Sequence, residues 1–192
     1  MSLLILGLIV FLGAHSVRIF AGNWRDAQII SLGEMRWKAV YSLVSAVGLG
    51  MIIWGYGVAR AESSMLWTLP AWTRHLAAAL TLPAFILLVA AYLPGSHIKA
   101  AVGHPMVAGV KLWALAHLLA NGKSAAVVLF GAFLIWAVLD FISARRRDRL
   151  AGRTYPVLGW SRDALVIVIG LVAWALFALY GHGWLIGVRP FG

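Results

Sequence analysis

Apolar runs separated by short polar stretches organise this chain of 192 residues. The runs cover Met1 to Phe20, Lys38 to Val58, Trp72 to Leu93, Pro105 to Asn121, Ser124 to Ser143 and Asp163 to Leu185. A helix rises about 1.5 Å per residue and the hydrocarbon core of a bilayer is about 30 Å thick, so roughly 20 residues cross it. Five of the runs meet that length. The fourth is shorter and carries Lys111, His117 and Asn121, which are expensive to expose to lipid. It is therefore expected to be enclosed by neighbours or to lie partly re-entrant. Gly122 and Lys123 leave room only for a tight link, so the fourth and fifth runs should form an antiparallel hairpin. The pattern predicts an all-α, polytopic transmembrane bundle spanning residues 1–192 as one domain. Six crossings are expected, with five crossings plus a half-span as the alternative.

Composition agrees with this pattern. The chain is 62% hydrophobic and 11% charged, against about a quarter charged in an ordinary soluble domain. The start has no basic residue ahead of its apolar stretch, and His15 and Arg18 lie near the end of that stretch. This is unlike a secretory leader, so a retained first helix is expected. The net charge of +10 raises nucleic acid as a partner. The basic residues, however, sit between or at the ends of the apolar runs, where they orient helices in a bilayer, so no nucleic-acid partner is expected.

Arg145, Arg146, Arg147, Arg149, Arg153 and Arg162 crowd one loop. Arg18, Arg25, Arg36, Lys38 and Lys99 fall on the same side, whereas the alternate side holds Arg60, Arg74, Lys123 and Arg189. The positive-inside bias places the crowded loops in the cytoplasm and both termini in the periplasm of a bacterial inner membrane. If the fourth run does not cross, the C-terminus changes side.

Small residues such as Gly48 and Gly50 read first as close helix packing, and Pro83 as a kink in the third run. Trp24, Trp37, Trp67, Trp72, Trp160 and Trp184 fall near run ends, as an aromatic belt does. Trp54, Trp113, Trp136 and Trp174 lie deeper, where core packing is the ordinary reading and the wall of a flat ligand the sharper one.

Ionisable groups inside the apolar runs need partners or a task. His15 and Arg18 lie on neighbouring turns of one helix face. Arg18 can snorkel toward the interface, but His15 is deeper. His104 precedes Pro105, which suits a first helical position, and Lys111 returns seven residues later to nearly the same face. The topology brings His15 and His104 to similar depths. Two imidazoles across a bundle can hold a haem iron, with Arg18 or Lys111 against a propionate; two structural hydrogen bonds would leave the same sequence. His117 and Asn121 form a secondary polar pair on another face, with His75 and His182 toward the same side. Asp140 could be neutralised by Arg18 or by a loop arginine, and Asp163 reads as a helix-start carboxylate. Cysteine is absent, and neither a phosphate loop nor a dinucleotide fingerprint is present.

The segment G103-H-P-M-V-A-G-V-K-L-W-A-L-A-H-L-L-A-N-G122, together with F11-L-G-A-H-S-V-R18, resembles the NnrU family. The central motif is long and fairly specific, and with the apolar runs the resemblance extends over essentially the whole chain. That family is associated with expression of nitrite and nitric oxide reductases in denitrification. It is related to the plastid 15-cis-zeta-carotene isomerase, a haem b enzyme with two histidine ligands, one of which exchanges for cysteine on a redox change. Transferred by resemblance, the ligands fall on His15 and His104, with His117 as the substitute for the second. The cysteine exchange has no counterpart here.

The resemblance therefore implies a haem b protein of denitrification, with denitrification membrane proteins as partners and, if isomerase-like, an apolar polyene or other lipid-like substrate. Two further readings stand beside it. One is a cofactor-free assembly or interaction protein. The other is a membrane methyltransferase or sterol-type reductase, suggested by the helix that opens on His104-Pro105.

Overall fold

The computed structural model describes residues 1–191. Its helices are α1 (Ser2–Phe20), α2 (Gly22–Leu32), α3 (Glu34–Ala61), α4 (Thr73–Tyr92), α5 (His97–Val102), α6 (Pro105–Ala120), α7 (Ser124–Leu150) and α8 (Trp160–Leu176). A π-helical turn over Phe177–Gly181 then leads into α9 (His182–Ile186). Five stretches are long and apolar enough to cross a bilayer: α1, α3, α4, α7 and the continuous run Trp160–Ile186. Much of their apolar surface lies open. On α3, Leu43, Ile53 and Trp54 are all exposed, which a water-soluble domain could not tolerate over so wide an area. The chain is a multi-pass membrane protein built as a helical bundle.

α6 has 16 residues, about 24 Å at the usual rise, so it falls short of the hydrocarbon thickness as its sequence anticipates. Two helices depart from the sequence reading. α2 occupies what reads as the first polar loop, and α5 is a single short turn-and-a-half between the third and fourth runs. Both carry too few apolar residues to register as spans.

The described residues divide into two compact units: residues 1–68 with 121–140, and residues 69–120 with the stretch from 141 to the end of the described residues. In the first, α1 and α3 pack antiparallel through glycine. A Cβ added at Gly7 would meet Ile52 N at 2.7 Å, one at Gly48 would meet Phe11 N at 2.8 Å, and one at Gly55 would collide with Leu4 N. The backbones approach this closely only because these positions lack side chains. Gly50, by contrast, faces open space. The pairs Leu4–Gly55, Gly7–Ile52 and Phe11–Gly48 fix one register along the whole contact, and extending it brings the last turns of α1 level with Tyr41 and Ser45.

The same unit starts α7 with help from a distant segment. Ala125 N donates to Ser63 Oγ at 2.8 Å, satisfying one of the first amides of the helix, which have no partner within it. Leu66 N donates to Gly122 O and Ser124 N to Ser64 O around the isolated Met65–Lys123 bridge.

In the second unit α4 packs on both α6 and α8. Gly109 lets α6 approach the Ala84 carbonyl, and Gly170 lets α8 approach Ile86. Pro83 lies inside α4, two residues after Thr81, whose hydroxyl accepts from Trp174 Nε1 at 3.0 Å. Ser96 caps α5 by accepting from Lys99 N, and Gly103, at φ +76°, ends it in a conformation that favours glycine. Pro105 then opens α6, where its missing N–H costs nothing.

Candidate functional site

In the first unit, His15 is set in an aromatic surround. Its ring stacks on Phe11 with centroids 4.2 Å apart, leans on Tyr41 at 5.2 Å and meets Trp136 edge-on at 5.9 Å. The α1–α3 register supplies Tyr41, and the first part of α7 supplies Trp136. Its ring bonds the Phe11 carbonyl, 2.7 Å from Nδ1. A carbonyl can only accept, so Nδ1 carries the proton, and in the neutral ring Nε2 carries the lone pair. Nearby, Trp136 Nε1 is buried and finds no acceptor among the described residues. A buried donor without an acceptor is unusual and asks for a partner. Arg18 is exposed on the last turn of α1.

In the second unit, His104 is held differently. His104 Nε2 donates to Asp148 Oδ2 at 2.8 Å, and Tyr155 Oη donates to the same oxygen at 2.7 Å. Asp148 is buried. Burial first, and then the Asp148 carboxylate beside it, push the Tyr155 phenol above its ordinary range, so it stays a proton donor. Seven residues along α6 from His104, the Lys111 ammonium lies 3.6 Å from the centroid of Phe141. Asp148 and Phe141 are also seven apart, so a single antiparallel register sets both contacts.

A second imidazole–carboxylate pair lies close by in sequence. His97 Nδ1 donates to Asp163 Oδ2 at 2.7 Å, and the amides of His97 and Ile98 donate to the two Asp163 oxygens. Asp163 thus caps α5 from the first turn of α8, and Trp160 stacks on His97 at 4.1 Å. Together the two pairs fasten the segment 96–104 to the segment 145–163.

His117 repeats the His15 arrangement. Its Nδ1 donates to the Trp113 carbonyl, four residues back, at 2.8 Å. Its ring lies 6.3 Å from that of His182, with planes 20° apart, and His182 Nδ1 donates to Val188 O. The π-turn just before His182 is a kind of helix irregularity frequent at functional sites. His75 is exposed at the start of α4. Asn121 lies past the end of α6, and its side-chain oxygen accepts from Lys123 N.

The structure thus brings His104 together with Asp148 and Tyr155, Lys111 with Phe141, and His117 with His182. His15 and Arg18 belong to the first unit. Among the described residues no group of three His, Asp or Glu side chains is placed to hold a metal ion. Sequence reasoning missed His97, Asp148 and Tyr155. Asp148 does leave a signal, because a lone acid inside an arginine run needs a reason of its own.

Compared with known proteins, residues 3–190 match the family described as NnrU protein. No curated protein and no solved structure matches the chain.

Proposed function

Because the chain belongs to the NnrU family, we propose that it is a haem b-binding inner-membrane protein of denitrification, with His15 as a residue that would hold the iron. The observation that carries this reading is the state of His15: Nδ1 is committed to a backbone carbonyl and Nε2 offers its lone pair within an aromatic surround. Histidines that ligate metals almost always donate their other N–H to a carbonyl, carboxylate or water, which fixes the ring and raises its basicity. The flat faces of Phe11, Tyr41 and Trp136 suit a macrocycle, and the buried Trp136 N–H is the kind of donor that a bound group would satisfy. The residues present therefore fit the group. When bound, haem would supply a redox-active iron.

Two histidines of the second unit are held in different ways. His117 has the same Nδ1-to-carbonyl anchor as His15. His104 has its Nε2–H committed to Asp148, and ligation through that nitrogen would strand both the carboxylate and the Tyr155 hydroxyl. Arg18, on the last turn of α1 and one turn on from His15, is the candidate propionate partner. Isomerisation of an apolar polyene is the activity to assay, although without cysteine it cannot use a thiolate exchange. The basic loops are assigned to the cytoplasm and both termini to the periplasm.

The test is a panel of His15→Ala, His117→Ala and His104→Ala variants, purified in mild detergent from haem-replete cells and compared by haem content per protein and by absorption. Loss of haem in the first variant is expected. Haem retained unchanged in His15→Ala would overturn the ligand assignment.

A further inference from the structure

The segment that joins α7 to α8 carries charge in an unusual form. Between Ser143 and Asp163 it holds six arginines and two carboxylates. Both acids, Asp148 and Asp163, are buried and bonded to His104 and Tyr155, and to His97, respectively. The surface here consequently presents guanidinium groups with no exposed carboxylate among them: Arg146, Arg149 and Arg153 all lie open.

Apolar groups stand open beside these arginines. Leu150, Leu158 and Trp160 are 79%, 62% and 75% exposed. The chain turns at Gly152, at φ +58°, and returns toward the membrane with Leu158 N bonded to Gly95 O. Depth follows from helix length. The 27 residues of α7 extend about 40 Å, against about 30 Å of hydrocarbon and roughly 40–45 Å including headgroups. A helix of that length crosses the hydrocarbon and reaches the headgroup layer, which would put its last turn at that layer with the exposed Leu150, Leu158 and Trp160 beside it.

We infer that this segment is a binding surface for anionic phospholipid headgroups, with Arg146, Arg149 and Arg153 engaging phosphate and the flanking apolar side chains inserting beside it. A soluble phosphate would use the same guanidinium chemistry, but it would leave Leu150, Leu158 and Trp160 facing water. An acidic protein partner would likewise need those groups to find a second surface. The bilayer satisfies both the charge and the apolar rim at once. The inference is independent of haem.

The experiment uses the full-length protein in phosphatidylcholine proteoliposomes containing trace spin-labelled phosphatidylglycerol or spin-labelled phosphatidylcholine, with the motionally restricted fraction of each probe read by electron paramagnetic resonance. Attraction of about 1 kcal/mol per basic residue near a surface corresponds to roughly fivefold per engaged guanidinium. Phosphatidylglycerol is therefore expected to be preferred by roughly fivefold or more at low salt. The combined Arg146→Gln, Arg149→Gln, Arg153→Gln variant should bring the two probes level. Lysine at the same positions should keep most of the preference, which separates lost charge from lost folding.

A second control, Arg60→Gln with Arg74→Gln and Lys123→Gln, should retain the preference. The inference is overturned if native protein shows no phosphatidylglycerol preference, as an acidic protein partner would imply. It is equally overturned if the triple glutamine variant keeps that preference, or if the second control loses it. Displacement of the probe by millimolar inorganic phosphate at matched ionic strength would assign the surface to a soluble anion instead.

Discussion

His15 and His104 read alike in the sequence, yet the two regions that hold them have opposite chemistry. His15 lies among Phe11, Tyr41 and Trp136, held through Nδ1 by a carbonyl of its own helix. His104 lies between a buried carboxylate and a loop, held through Nε2 by Asp148, which also accepts from Tyr155. In the first case the ring nitrogen that most often binds iron is left with a lone pair. In the second the equivalent nitrogen is spent on fastening one chain segment to another. An imidazole's use is decided by which nitrogen its neighbours occupy, not by its depth in an apolar run.

This contrast can be broken most decisively at His15 itself. Replacement by alanine should lower haem content per protein by at least about tenfold, measured as the pyridine haemochrome, whereas His104→Ala should leave haem content near that of the native protein. An equal loss in both would erase the distinction. Next in size, Asp148→Ala strands the His104 N–H and the Tyr155 hydroxyl together. Losing charge-assisted hydrogen bonds of this kind costs about 3 kcal/mol, visible as a lower thermal unfolding midpoint with the haem spectrum unaltered. A spectrum altered in step with stability would mean that the His104 cluster serves iron.

Gly55→Ala tests the scaffold beneath His15. The added methyl would collide with Leu4 N, and overpacking of a tight contact costs about 2 kcal/mol. Because the α1–α3 register sets the position of Tyr41 against His15, this variant should shift the Soret band as well as the unfolding midpoint. Gly50→Ala, on open space, should do neither. The smallest effect belongs to Tyr155→Phe, which removes one of the two donors to Asp148 and should cost about 1 kcal/mol with no spectral change.

Most of the helical plan is legible in the sequence because membrane helices announce themselves by uninterrupted apolar length. The bounds of α1, α4 and α6 fall within a few residues of the apolar runs, and the shortness of α6 is already visible in its composition. α2 is not legible, since its polar residues carry no apolar stripe to distinguish it from a loop. The position of His15 can be anticipated because an imidazole inside an apolar run stands out.

Its surroundings and the His104 cluster cannot, because they depend on long-range register. His104 and Asp148 are 44 residues apart, and nothing local to either names the other. Asp163 shows the limit clearly. It does sit at the start of its own helix, yet its oxygens bond the amides of α5, 65 and 66 residues away. Glycine was likewise only half readable, since Gly48 touches Phe11 while Gly50, two residues on, touches nothing.

The central claim is that this membrane protein uses His15 to hold a haem. The absorption spectrum of the gently solubilised native protein, purified from haem-replete cells and recorded oxidised and then reduced, tests it most directly. A Soret band that shifts on reduction, with resolved low-spin bands at longer wavelength, is the predicted result. Folded, monodisperse protein that remains colourless in both states would contradict it.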